Sequence, residues 1–243
     1  MENYYLFLFL AFISEIIGTV SGFGSSILFV PIASLYFDFT TVLGITAVFH
    51  VFSNLSKIAL FRNGINKEIV LKLGIPAVIF VTIGALLTSY IPVKQMELTM
   101  NVMLILLAIY LLINFNKKLK QTNRNLYIGG SVSGFLAGLV GTGGAIRGIT
   151  LTAFQLQKDV FIATSAFIDL GVDSSRAIVY ISSGYFDKKY LILIPFLIIV
   201  SFLGSYIGKI ILKYTSDKLF RYFVLLIIIG TSIFQTITYF YKT

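Results

Sequence analysis

The sequence predicts an all-α membrane protein made of two tandem repeats, and three observations lead there. The chain of 243 residues is 57% hydrophobic and only 12% charged, with a mean hydropathy of +0.93. Soluble domains of this length do not have that balance, and long apolar runs with few charges read as membrane spans. Two of those runs are broken by glycines, at Ser21-Gly-Phe-Gly-Ser-Ser26 and at Gly138-Leu-Val-Gly-Thr-Gly-Gly144. Finally, a shift of 119 positions lays one half on the other without a gap. Gly22 then falls on Gly141, Gly24 on Gly143, Ser14 on Ser133, Ser56 on Ser175 and Pro76 on Pro195. The expected division is a first repeat at 1–115, a basic cytoplasmic linker at 116–126 and a second repeat at 127–243.

Each repeat reads as a glycine-broken hairpin followed by three spans. Residues 4–37 form the first broken segment, because glycines inside a helix cost roughly 1 kcal/mol each relative to alanine. Residues 39–61 form a span that carries His50, Asn54 and Lys57. A polar loop at 62–68 contains the turn pair Asn63-Gly64. Plain apolar spans follow at 73–91 and 97–115, separated by Pro92. The second half repeats the order: a broken segment at 127–156, a polar-bearing span at 159–182, a loop at 183–189, and spans at 190–212 and 219–240. The hairpin arms are expected to be short, roughly 12–18 residues against the ~20 needed to cross. That predicts re-entrant hairpins whose glycine tips meet near the midplane.

Charge sets the expected orientation. If the broken segments cross fully, the halves are parallel, and the lysines and arginines divide ten against six. If the broken segments dip in and return, the halves are inverted. Twelve then face one side and only Lys94, Lys188, Lys189 and Lys242 face the other, with Lys57, Arg147 and Arg176 inside the membrane. The inverted arrangement obeys the positive-inside rule better and places the N-terminus outside. Inverted repeats with broken helices at the midplane are an architecture of secondary transporters. The net charge of +9 therefore reads as cytoplasmic loops, with no nucleic-acid partner. Residues 1–12 show no basic n-region and no cleavage site, so no signal peptide is expected. Without cysteine, disulfides, thiolate metal sites and cysteine nucleophiles are excluded. Without tryptophan, tyrosines must supply any aromatic belt.

Two groups of residues are candidates for chemistry. The second arm of each hairpin starts just after the glycines, and its first N–H groups point unpaired at the tip, where a helix carries roughly half a positive charge. Facing termini make an anion site from backbone alone. The expected substrate-binding set is Gly22, Gly24, Ser25 and Ser26 from the first tip and Gly141, Thr142, Gly143 and Gly144 from the second, with Arg147 supplying a forked, fixed charge. The coupling set is His50, Asn54 and Lys57, spaced i, i+4 and i+7 on one helical face, with Asp169, Asp173 and Arg176 at the same spacing in the same register. Charges in such segments face the interior or water. An intramembrane serine–histidine dyad is disfavoured, because Val140 stands in the register of Ser21 and Asp169 in that of His50. No catalytic residue, metal ligand or cofactor is expected.

These motifs resemble the TauE/SafE sulfite exporter family. The likeness rests on Ser-Gly-Phe-Gly at 21–24, Gly-Leu-Val-Gly-Thr-Gly-Gly at 138–144, the basic mid-chain linker and the two polar-bearing helices, and it covers nearly the whole chain. The first tip departs from the pattern, with Gly24-Ser-Ser where members often carry more glycine. The resemblance implies a secondary transporter of sulfite, a sulfonate or a similar sulfur anion in a bacterial cytoplasmic membrane. Coupling to a proton or to sodium, and a homodimer, are compatible with it. The competing readings are a passive anion channel and a non-transporting membrane scaffold.

Overall fold

The structure is a computed structural model that describes residues 2–22, 24–61, 64–113 and 120–214, with Ile229, Ile233 and Ile237 beyond them. Every regular element among the described residues is helical. In chain order these are α1 (Glu2–Ser21), α2 (Ser26–Ala33), α3 (Phe39–Leu60), α4 (Lys67–Ile69), α5 (Ile75–Leu87), α6 (Val93–Ile113), α7 (Asn123–Val140), α8 (Gly144–Thr152), α9 (Lys158–Ser182) and α10 (Ile194–Leu212). Among the described residues, four helices are long and apolar enough to cross a membrane: Tyr4–Ser21, Phe39–Leu60, Lys67–Tyr90 and Lys188–Leu212.

Both expected breaks are present. Gly141 closes α7 in the left-handed region at φ 82°, returning its N–H to the carbonyl of Ala137. After each break the chain doubles back along the helix it came from. Tyr4 stacks on Phe37 and Phe7 packs edge-on against Phe29 and Phe37. In the other hairpin Gln121 donates to the carbonyl of Ala153 at 2.8 Å. The arms are less equal than the sequence suggests. The first arms have 20 and 18 residues, the second only 8 and 9, and each short arm ends in a turn. At 1.5 Å per residue the second arms rise about 12–14 Å.

Two other boundaries differ from expectation. The third helical span begins at Lys67 rather than 73. Asn66 caps it by accepting from the N–H of Ile69, and a π-turn at Val70–Gly74 absorbs the backbone bond that Pro76 cannot make. α7 begins at Asn123, inside the stretch expected as linker. Residues 116–119 of that linker lie outside the described residues. So do most of the span expected at 219–240 and the contacts it makes.

Three seams hold the bundle. α7 lies along α5 in parallel, with Gly130, Gly134 and Gly138 against the carbonyls of Leu73, Ala77 and Val81, where a methyl would collide with backbone. α1 lies along α10 in the same sense, with Glu15 against Gly204 and Thr19 against Gly208. α3 and α9 run antiparallel between them. Gly44 meets Tyr185, Asn54 meets Asp173, and the N–H of Asn66 reaches Thr164. Apolar side chains such as Ile75, Ile79, Phe196 and Ile199 face outward, while the centre is polar. That is the inside-out distribution a bilayer requires.

Candidate functional site

The polar centre is built from the two breaks and the two antiparallel helices. The breaks meet there: Ser26 Oγ lies 3.4 Å from Thr142 Oγ1. Both second arms start at this point, and neither is closed by a side-chain cap. α3 and α9 bring their polar stripes to the same place because the 4- and 7-residue spacings keep each stripe on one face.

One cavity collects most of the expected residues. It is lined by Gly24, Ser25 and Ser26 from the first break and by Gly141, Gly143, Gly144 and Arg147 from the second. The stripes add His50, Asn54, Lys57, Asp169, Asp173 and Arg176. Its free space is about 330 Å³, open mouth included. Gly22 and Thr142 are not part of this lining. Gly22, at φ 71°, sits under the ring of Phe161 and lines an adjoining cavity with Thr19, Phe161 and Ser165. The two cavities share Gly24, Asn54, Lys57 and Asp169.

Three buried cations are each held by a carboxylate. Arg176 donates from Nε to Asp173 Oδ1 at 2.7 Å, and its Nη1 reaches the carbonyl oxygens of Gly141 and Ala137 at 2.6 and 3.2 Å. It thereby neutralises the negative end of α7. Asp173 also accepts from Asn54 Nδ2 at 2.7 Å. Arg147 forms an ion pair with Asp169 through Nη2. Its Nε, although Arg147 is only 4% exposed, has no partner among the described residues. A buried donor left unpaired costs about 1–3 kcal/mol, so Arg147 holds a donor that a ligand could satisfy.

Lys57 is held by a residue the sequence reading did not single out. Its Nζ lies 2.8 Å from Glu15 Oε1 and donates to Ser53 at 2.8 Å. Glu15 is fully buried in α1 and accepts from Ser53 at 2.8 Å, Ser205 at 2.7 Å and Ser25 at 2.7 Å. Ser25 is also 2.9 Å from His50 Nε2, and His50 Nδ1 is 2.7 Å from the carbonyl oxygen of Thr46. A signal for Glu15 was present, since it is the only charged residue in the apolar segment 4–37. The 119-residue register hid it, because Gly134 stands at the matching position. No group of acidic and histidine residues with metal-holding geometry occurs among the described residues.

A family model described as "Sulfite exporter TauE/SafE" matches residues 6–234. No curated protein matches the chain significantly. No solved structure does so either.

Proposed function

Because the chain belongs to the sulfite exporter TauE/SafE family, a family of membrane transporters for sulfur anions rather than of enzymes, we propose that it is a secondary transporter. It binds a small sulfur oxyanion, sulfite or a sulfonate, in the cavity between the two breaks, and it works in a bacterial cytoplasmic membrane. The observation that carries this reading is that two uncapped helix N-termini and Arg147 share one buried cavity. Helix N-termini offer N–H donors and partial positive charge to an oxyanion. Asp169 holds Arg147. An arriving oxyanion takes the free Nε and competes with Asp169 for the rest of the guanidinium. Lys57 and Arg176 are each matched by a carboxylate, and Asp173 and Asn54 hold α3 and α9 in register.

In this reading the breaks are re-entrant and the halves inverted. The support is that α3 and α9, which occupy equivalent positions in the two halves, run antiparallel. The end of the bundle that holds Asn66, Lys72, Asn123 and Lys209 then faces the cytoplasm. The end that holds Tyr4, Phe37 and Tyr190 faces out.

The test is a thermal-shift panel of sulfite, methanesulfonate and thiosulfate on the purified protein, with chloride and phosphate as controls. A ligand at a hundred times its Kd stabilises by about 2.7 kcal/mol. The substitution Arg147→Ala removes charge-assisted hydrogen bonds worth about 1.5–3 kcal/mol, so affinity falls roughly 10- to 150-fold on that basis. Arg147→Lys restores charge without the fork and is expected to be intermediate. Wild-type affinity in a folded Arg147→Ala protein moves the site elsewhere.

A further inference from the structure

Hydrogen-bond bookkeeping at Glu15, Ser25 and His50 requires one more proton than these side chains carry when His50 is neutral and Glu15 ionised. His50 Nδ1 faces the carbonyl oxygen of Thr46 at 2.7 Å. A carbonyl only accepts, so Nδ1 carries a hydrogen. Ser25 Oγ lies 2.7 Å from Glu15 Oε2 and 2.9 Å from His50 Nε2. Each of those contacts needs a hydrogen between its heavy atoms, and the Ser25 hydroxyl has only one to give. The second resides on His50 Nε2, making an imidazolium beside a carboxylate, or on Glu15, making a carboxylic acid beside a neutral imidazole. The two states interconvert through Ser25. The Nε2–H proton passes to Oγ as the hydroxyl proton passes to Oε2, and only N–H and O–H bonds form or break.

We propose that Glu15, Ser25 and His50 form the binding site of one transported proton, which moves together with the anion. This rests on the transporter reading above and deepens it. Ser25 and His50 also line the anion cavity, so the proton site and the anion site share two side chains. The charged groups facing the triad are Lys57 on α3, paired to Glu15, and Asp173 and Arg176 on α9, which act on His50. α2 and α10 present the hydroxyls of Ser25 and Ser205. With the proton bound, Lys57, Arg147, Arg176 and the triad's proton outnumber Glu15, Asp169 and Asp173 by one charge, which suits a monoanion. When the proton leaves, Ser25 can keep Glu15 or His50 but not both. Ser25 stands at the start of α2 without a side-chain cap bond, and its hydroxyl ties that start to α1 and α3, so that loss loosens the first tip.

His50 is the only histidine in the chain, so nitrogen NMR of histidine-labelled protein in lipid reads this one ring. Infrared spectroscopy reads a protonated carboxyl. The expected result is a ring protonated at Nε2 that loses that proton in Glu15→Gln, whose amide can itself donate to Ser25. A neutral ring together with a carboxyl band that vanishes in Glu15→Gln places the same single proton on Glu15 and also supports the site. A neutral ring with no such band, a ring protonated in both proteins, or protons on both groups overturns it. If Glu15→Gln does not fold, a pH titration of the wild type must still show one shared proton across the two readouts, and two protons or none refutes the site. Methanesulfonate, whose acid is fully ionised, is expected to bind well only while the proton is on the triad, so its affinity falls as pH rises through the titration that the two spectra report. An affinity that does not change across that titration overturns the coupling and leaves the anion site standing. Failure of methanesulfonate, sulfite and thiosulfate all to bind defeats the transporter reading instead.

Discussion

The two halves set different charges on matching helical positions. Lys57 and Arg176 occupy one register, yet Lys57 is held from outside its helix by Glu15 of α1, whereas Arg176 is held within its own helix by Asp173 and by carbonyls at the end of α7. The additional charge also lies on different arms. The first half carries Glu15 on its long arm, where the second has Gly134. The second half carries Arg147 on its short arm, where the first has Leu28. In the proposed reading the two tips take separate tasks: the second offers donors to an anion, and the first offers acceptors to a proton.

An all-or-none test can break this comparison at its root. If the halves are inverted, Gln121 and Ser183 lie at opposite faces of the membrane. The chain has no cysteine, so an impermeant thiol reagent acting on single Gln121→Cys and Ser183→Cys proteins has no background. Ser183 serves better than its neighbour Gly184, whose φ of 78° disfavours a side chain. Labelling of both from the same side of sealed vesicles is incompatible with inversion.

The next largest effect sharpens the contrast between the cations. Breaking a buried ion pair from one side costs about 3–5 kcal/mol. Arg176→Met is expected at the upper end, because it strands Asp173 and strips donors from the carbonyls of Gly141 and Ala137. Lys57→Met is expected to cost less, because Glu15 keeps the hydroxyls of Ser25, Ser53 and Ser205. Thermal unfolding of the two proteins in one detergent checks the order. The reverse order would mean that the hydroxyls contribute little to holding Glu15.

Much of this was legible in the sequence, for physical reasons that differ by residue. The breaks were visible because several glycines in one short stretch oppose a helix. The stripes were visible because polar residues at 4- and 7-residue spacing share a face. The partner of Arg147 was not fixed, since Asp169 and Asp173 lie one turn apart on the same face and only packing selects between them. Glu15 was missed because attention to matched positions discounts a residue whose counterpart is glycine. The hydroxyls that complete its surroundings come from α2, α3 and α10, and no local pattern links serines so far apart. The inequality of the hairpin arms was equally hidden, since hydropathy marks where a segment is apolar but not where it turns.

A smaller effect separates the two long seams. At Gly138 an added methyl meets the carbonyl of Val81 and the amide of Ala85, which are backbone. At Gly208 it meets mainly the side chain of Thr19. The overlap is deeper at Gly138, against the Val81 oxygen, than at Gly208, against the Thr19 Cβ at 2.7 Å, and overpacking costs about 1–3 kcal/mol. Gly138→Ala is expected to fall at the upper end and Gly208→Ala near or below the lower, as read by the loss in unfolding temperature. Equal losses would mean that the α1–α10 seam is as rigid as the α5–α7 seam.

The smallest effect lies at the starts of α3 and α9. Asp38 accepts from the N–H of Thr41 at 3.0 Å and from the hydroxyls of Thr40 and Thr41 at 2.6 Å. At the matching position Gln157 caps nothing with its side chain, although its backbone is extended at φ −56° and ψ 146°. Asp38→Ala is expected to cost about 0.5–2 kcal/mol, the usual worth of such a cap. Gln157→Asp is expected to gain no more than that, aided by the positive end of α9. Partial burial pushes the Asp38 carboxyl up, but its hydrogen bonds outweigh that and hold it below the usual carboxylate range. The cap's contribution is therefore present above the unfolded-state pKa and is lost as pH falls through the lower folded value. The Asp38→Ala penalty should shrink in acid, while the penalties of Gly138→Ala and Gly208→Ala, which titrate nothing, should not. A penalty unchanged between neutral pH and strong acid would show that Asp38 acts through packing of its neighbours rather than as a charged cap.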